Sequence, residues 1–272
     1  MAFGAAKMGK VPFSGIRKVF ELARKLEREG RDVVHLEIGR PDFDTPAHIK
    51  KAAIDAIEAG DVHYTSNYGT IELRTAIADY LSKAVGQTYN PENEVIVTVG
   101  AAEAIFDTFI ALLDAGDEVL VPDPAWANYS AAAVMAGAEA VRVPLRESNG
   151  FEMDPDEIAK MITPRTRGLV IVSPHNPTGT VQSVEVLEAI AELAQKHNLF
   201  VLSDEIYDQI LFDGRKHVSI ASIEGMRCRT VIVNGFSKAY SMTGWRIGYL
   251  AAAKPLVDVI NRGHQHNTTC AS

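Results

Sequence analysis

Lys238 stands in the run Ser237-Lys238-Ala239-Tyr240-Ser241-Met242-Thr243-Gly244-Trp245-Arg246. An amine in that setting can condense with an aldehyde to give an imine. The flanking Ser237 and Arg246 can grip a phosphate, the arginine by charge-assisted hydrogen bonds. The run fits a lysine that holds a phosphorylated aldehyde cofactor. Three other segments carry the remaining polar groups such a cofactor needs.

The first is Val97-Thr98-Val99-Gly100-Ala101-Ala102-Glu103-Ala104. Small residues after a strand let an anion approach the backbone, and the free N–H groups of a first helical turn can bind it. A tight strand-to-helix turn accounts for the same residues equally well. Neither G-x-x-x-x-G-K-[ST] nor G-x-G-x-x-G occurs, which disfavours nucleotide-binding versions, a dinucleotide-binding dehydrogenase among them.

The second is Ser173-Pro174-His175-Asn176-Pro177-Thr178-Gly179, directly after an apolar run. The Asn176 amide could donate to a ligand oxygen, and a cis bond to Pro177 would fix its direction. Asn-Pro followed by Gly is also ordinary turn chemistry. The third is Leu202-Ser203-Asp204-Glu205-Ile206-Tyr207. Asp204 closes a very apolar strand, where an unpaired carboxylate is costly. A protonated pyridine nitrogen would serve as its partner, and Tyr207 can reach the same ligand. Asp204 as a helix cap with Tyr207 as packing is the alternative. Trp126 could stack on a flat cofactor or belong to the core. His264-x-His266 has no spaced Cys, His or carboxylate set to complete a metal site, so these residues read as a polar terminal segment. Together the segments offer what pyridoxal phosphate requires: an imine lysine, a phosphate cup, a carboxylate for the pyridine nitrogen and donors to the ring oxygen.

The elements that must position these groups follow from periodicity. Strands are expected at Val33–Ile38, Glu94–Val99, Glu118–Val121, Ala140–Val143, Gly168–Val172, Phe200–Ser203, Thr230–Val233 and Ile247–Ala251. Several are continuous apolar runs, as in strands covered on both faces. Helices are expected at Ser14–Arg28, Pro46–Glu58, Ile71–Lys83, Ala102–Leu113, Asn128–Ala136, Asp154–Met161 and Ser183–Lys196, with another helix-like stretch from Pro255. In Ser183–Lys196, Val186, Ile190 and Leu193 form the apolar stripe. The alternation implies a three-layer α/β/α fold with a mostly parallel sheet, whose ligand groups gather at the carboxyl ends of strands. The region before about residue 45 looks separable, ending at the turn-rich Gly39-Arg40-Pro41-Asp42.

The bulk properties agree. The 272 residues are 47% hydrophobic, enough for a substantial core. A net charge of -8 without any basic stretch argues against nucleic-acid binding. Two cysteines indicate no disulfide framework. Neither a signal peptide nor an 18-residue uncharged apolar run is visible, so no membrane span is expected and a cytoplasmic location is.

At this point the chain resembles the fold-type I pyridoxal-phosphate aminotransferases of class I/II, the aspartate aminotransferase superfamily, from about Val11 onward. The most specific motifs are Asn176-Pro177-Thr178-Gly179, Asp204-Glu205-Ile206-Tyr207, and Ser237-Lys238 with Gly244-Trp245-Arg246. Gly39-x-Pro41-Asp42-Phe43 and Tyr64-Thr65-Ser66-Asn67-Tyr68-Gly69 also match. The resemblance implies that Lys238 forms the imine and moves the α-proton, and that Asp204 keeps the ring nitrogen protonated. It implies that Asn176 and Tyr207 hydrogen-bond the ring oxygen, that Gly100, Ala101, Ala102, Ser237 and Arg246 hold the phosphate, and that Trp126 stacks on the ring. Gly39 would offer its N–H to the substrate carboxylate, with Asn176 close by. Tyr64 would reach the neighbouring subunit's cofactor, which implies a homodimer with shared sites.

The implied reaction is a ping-pong transfer of an amino group between an L-amino acid and a 2-oxo acid. A lyase on the same scaffold, or an inactive cofactor-binding fragment, would carry the same cofactor residues. The implied domains are residues 1–45 as arm and part of a small domain, and 46–272 as the large cofactor domain. Two departures stand out. The cup often carries a hydroxyl, or in some members a lysine, where this chain has Ala101 and Ala102. The rest of the family's small domain, with the arginine for the substrate carboxylate, is expected beyond residue 272.

Overall fold

A computed structural model of the chain describes residues 3–11, 13 and 15–272. Its centre is a seven-stranded sheet made of β1 (Val95–Thr98), β2 (Glu118–Asp123), β3 (Glu139–Pro144), β4 (Thr166–Val172), β5 (Phe200–Asp204), β6 (Thr230–Gly235) and β7 (Gly248–Ala251). The spatial order is β1-β7-β6-β5-β4-β2-β3. All neighbours are parallel except β7, which runs antiparallel to both β1 and β6. β1 and β6 therefore point the same way, and the segment leading into β7 lies at the edge where they end. One edge of the sheet thus collects the residues after β1, β2, β4, β5 and β6 and those just before β7.

Eight α-helices accompany the strands among the described residues: α1 (Gly15–Arg28), α2 (Ala47–Glu58), α3 (Ile71–Ala84), α4 (Gly100–Leu112), α5 (Asn128–Ala136), α6 (Pro155–Met161), α7 (Val184–Lys196) and α8 (Lys254–Asn267). The expected start of α1 at Ser14 lies outside the described residues. Alternation within strands builds the layers. On β4, Val170 and Val172 pack with α4, α5 and α8, whereas Leu169 and Ile171 pack with α6 and α7. On β6, Val231 and Val233 share the first of these faces, and Ile232 turns toward α3. Each aliphatic side chain buried this way stabilises the fold by about 1.5–3 kcal/mol relative to exposure. The expected three-layer α/β/α sheet is the one observed.

Three expectations are corrected. Val33–Ile38 forms no strand; it runs as irregular backbone with Val34 and Leu36 exposed, and no neighbouring strand among the described residues offers it a ladder. On α7 the fully buried stripe is Leu187, Ile190, Ala191 and Ala194, with Val186 and Leu193 at its margin. That set follows the i, i+3, i+4, i+7 rule more closely than the expected one. Finally, the residues around His264 are not a polar tail. α8 continues to Asn267, and His264 is fully buried against Glu103 and Asp107 of α4.

Candidate functional site

Asp204 is the last residue of β5 and is 2% exposed. Its Oδ2 accepts the Tyr129 hydroxyl at 2.7 Å, and its Oδ1 accepts the Ile206 N–H at 3.2 Å. Burial raises its pKa to about 6, and these two donors only partly oppose the rise. A carboxylate has about four lone-pair directions, so Asp204 keeps capacity for a cationic donor.

Lys238 lies just after β6, in the loop toward β7, and is half-buried. Its Nζ donates to the Gly39 carbonyl and sits 5.5 Å from the centre of the Tyr207 ring. Burial lowers its pKa, the Arg246 charge lowers it further, and Asp204 works the other way. An amine shifted in this direction is more often unprotonated, which is the nucleophilic form. The segment after Gly39 is also tied to the lysine loop. Thr45 Oγ1 donates to the Ser241 carbonyl at 2.6 Å and accepts Trp245 Nε1–H at 3.0 Å.

The first turn of α4 faces this lysine loop. Val99 at its N-cap provides no side-chain cap, so the N–H groups of Gly100, Ala101 and Ala102 have no intrahelical acceptor. Arg246 adopts a left-handed backbone, φ 56°, and its Nη1 donates to the Thr243 carbonyl at 3.0 Å. The guanidinium then presses on Gly100: a Cβ there would lie 2.4 Å from Nη2, and the φ of +72° also demands glycine. Gly248 opens β7 the same way, since a Cβ on it would lie 2.5 Å from the Ala101 nitrogen. Two glycines thus let an arginine, a strand and a helix N-terminus converge, an arrangement with the chemistry to cradle an anion. Ser237, buried, precedes the lysine.

The other expected residues are placed as follows. Asn176 follows β4, half-buried, with a cis bond to Pro177. Tyr207 is half-buried, and burial followed by the Asp204 charge raises its pKa. Trp126 follows β2 and meets Tyr129 edge-on, with ring centres 5.8 Å apart. Tyr64 is 91% exposed. Asn176, Asp204, Tyr207, Gly100, Ser237, Lys238 and Arg246 all lie at the one sheet edge or in its loops.

Two residues at this edge were not anticipated. Tyr129 binds Asp204; its position one helical turn after Trp126, at the start of α5, was the available signal. His175 is buried beside Asn176, with Nδ1 2.8 Å from Thr178 Oγ1. Burial lowers its pKa to about 4, against a weak opposing effect of the Pro124 carbonyl, so it is neutral near pH 7. No sequence pattern distinguished it from turn residues.

Residues 31–272 match the family model for aminotransferase class I and II. The chain belongs to that family. Among curated relatives, it is 44% identical over 257 residues to aromatic-amino-acid aminotransferase 2 of Thermococcus litoralis. It is 45% identical over 257 residues to an aspartate aminotransferase of Pyrococcus abyssi. Each alignment covers 94% of this chain and 65% of the relative, so the chain spans about two thirds of their length. The structure of Thermus thermophilus aspartate aminotransferase with maleate superposes with a TM-score of 0.95 at 40% identity, covering all of this chain and 70% of that one. N-succinyldiaminopimelate aminotransferase from Mycobacterium tuberculosis gives 0.94 at 37% identity. These aminotransferases differ in their named substrates, so the likeness carries the family and the fold. No helix among the described residues is long and apolar enough to cross a membrane.

Proposed function

We propose that this chain carries the cofactor centre of a pyridoxal-phosphate-dependent aminotransferase that moves an amino group between an L-amino acid and a 2-oxo acid. One observation carries the proposal. A buried carboxylate with spare acceptor capacity, an amine of depressed pKa and an anion cradle meet at a single sheet edge. The donor set suits that cofactor: Asp204 for its ring nitrogen, Asn176 and Tyr207 for its ring oxygen, and Gly100, Ala101, Ala102, Ser237 and Arg246 for its phosphate. When bound, pyridoxal phosphate supplies an aldehyde for an amine and a ring that withdraws electrons from the substrate α-carbon.

The chain's own residues do the rest. Lys238 Nζ would hold and move the substrate's α-proton. Tyr129 and the Ile206 N–H hold the Asp204 carboxylate in place. Arg246 would hold the phosphate end. Gly39, already over the amine, would place the substrate carboxylate. Trp126 would cover the ring. Two half-reactions through one site give ping-pong kinetics. Tyr64, exposed in the segment before the Ser66–Gly69 turn, would serve a second subunit's site in a homodimer. Residues 46–272 would form the cofactor domain.

The test is amino transfer from a panel of L-amino acids to 2-oxoglutarate, followed by glutamate formation, with cofactor binding followed by visible absorbance. Glutamate with kinetics that extrapolate as parallel double-reciprocal lines is expected. Cofactor binding with ammonia and an oxo acid, but no glutamate, would replace the transferase with a lyase. No absorbance change on adding the cofactor would overturn the site.

A further inference from the structure

His264 of α8 is fully buried, and each of its ring nitrogens faces an acceptor. Nδ1 is 2.9 Å from Asp107 Oδ2. Nε2 is 2.9 Å from the Asn67 carbonyl. A carbonyl can only accept, and so can an ionised carboxylate, whereas a neutral imidazole has a single N–H. The neutral ring would leave one lone pair facing another in a dry site, which is costly.

We propose that His264 is held as a buried imidazolium, and that this proton makes it a positioning residue for the first turn of α4 and the Ser66–Gly69 turn. The titratable groups facing it are Asp107 and Glu103, both from α4, with Glu103 Oε1 3.8 Å from Nδ1. The 66–69 turn contributes the Asn67 carbonyl. α8 contributes Asn267, and its C-cap contributes Thr268. β1, also packed on α8, is Val-Ile-Val-Thr and has no titratable group. Glu103 and Asp107 lie one helical turn apart and repel each other, so a cation beside both is stabilising. His264 is also in the last turn of α8, where the helix dipole favours positive charge.

The connections run straight to the proposed site. Asn267 Nδ2 donates to Asp107 Oδ1 at 3.1 Å and to Glu103 Oε1 at 3.4 Å. Thr268 Oγ1 donates to Glu103 as well. Glu103 Oε2 accepts the Val99 N–H at 2.5 Å, directly ahead of the Gly100 cradle. Asn67 Nδ2 donates to the Thr269 carbonyl at 2.8 Å, and the Tyr68 carbonyl accepts the Val97 N–H at 3.0 Å. One proton therefore ties α8, the helix α4 and the Ser66–Gly69 turn into one block. The same three side chains could in principle ligate a metal ion. Their oxygens already take donors from Val99, Asn267 and Thr268, and Nδ1 touches Oδ2 at direct hydrogen-bond distance, so a proton fits better than an ion.

Burial works against the charge on His264, but the Asp107 hydrogen bond, the two carboxylate charges and the Asn67 carbonyl outweigh it and raise the pKa. The sign follows. The stabilisation is complete below the unfolded value of 6.5 and is lost as pH rises through the higher folded value.

Two measurements test this on the full chain. Ring nitrogen-15 NMR at pH 7 should show protons on both His264 nitrogens; a bare nitrogen at that pH would overturn the proposal. Zinc sulfate should leave those resonances unmoved, and a specific shift of Nδ1 with saturation would make it a metal ligand and overturn the proposal too. Hydrogen exchange at Gly69, Val97 and Val99, whose N–H groups are bonded within this block, is then compared between wild type and His264→Gln from pH 6 to 9. Exchange in the variant should be at least tenfold faster at pH 6, with the gap closing as pH rises. A gap that stays constant with pH would mean packing alone. If His264→Gln fails to fold, the NMR result still decides. The role in holding the cradle rests on the proposed cofactor reading, but neither measurement needs the cofactor, so wild type that binds none would remove that reading and leave both results interpretable.

Discussion

The Tyr129 hydroxyl donates to Oδ2 of Asp204 across 2.7 Å, with both groups buried. A hydrogen bond to an ionised acceptor is worth about 1.5–3 kcal/mol, roughly twice a neutral one. Tyr129→Phe should therefore destabilise the chain by about 1–3 kcal/mol at pH 8. The loss should be smaller at pH 5, where Asp204, with its pKa of about 6, is mostly protonated. Urea unfolding at the two pH values measures this. Equal losses would mean that the hydroxyl does not act through the carboxylate.

Asp204→Asn should stabilise the cofactor-free chain. The folded pKa, about 6, lies above the ordinary value of 3.8, so the folded state holds a proton that the unfolded state releases. The resulting penalty is absent below about pH 4, grows between 4 and 6, and is complete above 6; it is on the order of 3 kcal/mol. The asparagine can keep both neighbours, accepting from the Ile206 N–H and donating to the Tyr129 oxygen. Unfolding curves from pH 4 to 8 should diverge in that window, with the variant the more stable. The same variant should lose cofactor affinity, because it no longer offers a charge to a protonated ring.

Much of this site was legible before the fold was known. Each motif sits where an apolar run stops, and an apolar run of five or six residues between polar turns is a strong sign of a central strand. Asp204 stood out because a carboxylate ending such a run needs a partner. The residues that escaped notice act across the sequence. Tyr129 reaches Asp204 over 75 positions, and His264 reaches Asp107 over 157. A tyrosine in a helix or a histidine near a chain end has no local pattern that announces a distant partner. Val33–Ile38 failed for the opposite reason: its residues favour strand, but strands exist in pairs, and pairing is not a local property.

Gly100→Ala should damage the anion cradle in two ways. The φ of +72° is unfavourable for any residue with a Cβ, by about 1–2 kcal/mol. The new methyl would also lie 2.4 Å from Arg246 Nη2, so the guanidinium must shift. The phosphate end should suffer more than the ring end. Affinity for pyridoxal phosphate is expected to fall at least tenfold, with affinity for pyridoxal, which lacks the phosphate, nearly unchanged. Titrations of both compounds followed by absorbance separate the outcomes. Equal losses for the two would place the cradle's role in folding.

Lys238→Ala should abolish covalent capture of the cofactor and leave the fold intact. The amine is half-buried, and its pKa is lowered by burial and by Arg246, so its positive form is not a stabilising feature of the core. Its tie to the Gly39 carbonyl is a single link at the edge of the site. Removing it should change unfolding free energy by no more than about 1 kcal/mol. The chemistry should change completely. Wild type mixed with pyridoxal phosphate and treated with borohydride should carry the reduced adduct on the peptide that contains Lys238, as peptide mass spectrometry can locate. The variant should carry none at that position, and its visible absorbance should match free cofactor. Labelling of another lysine at comparable yield in wild type would show that the amine over Tyr207 is not the one that reacts, and the proposed centre would have to be abandoned.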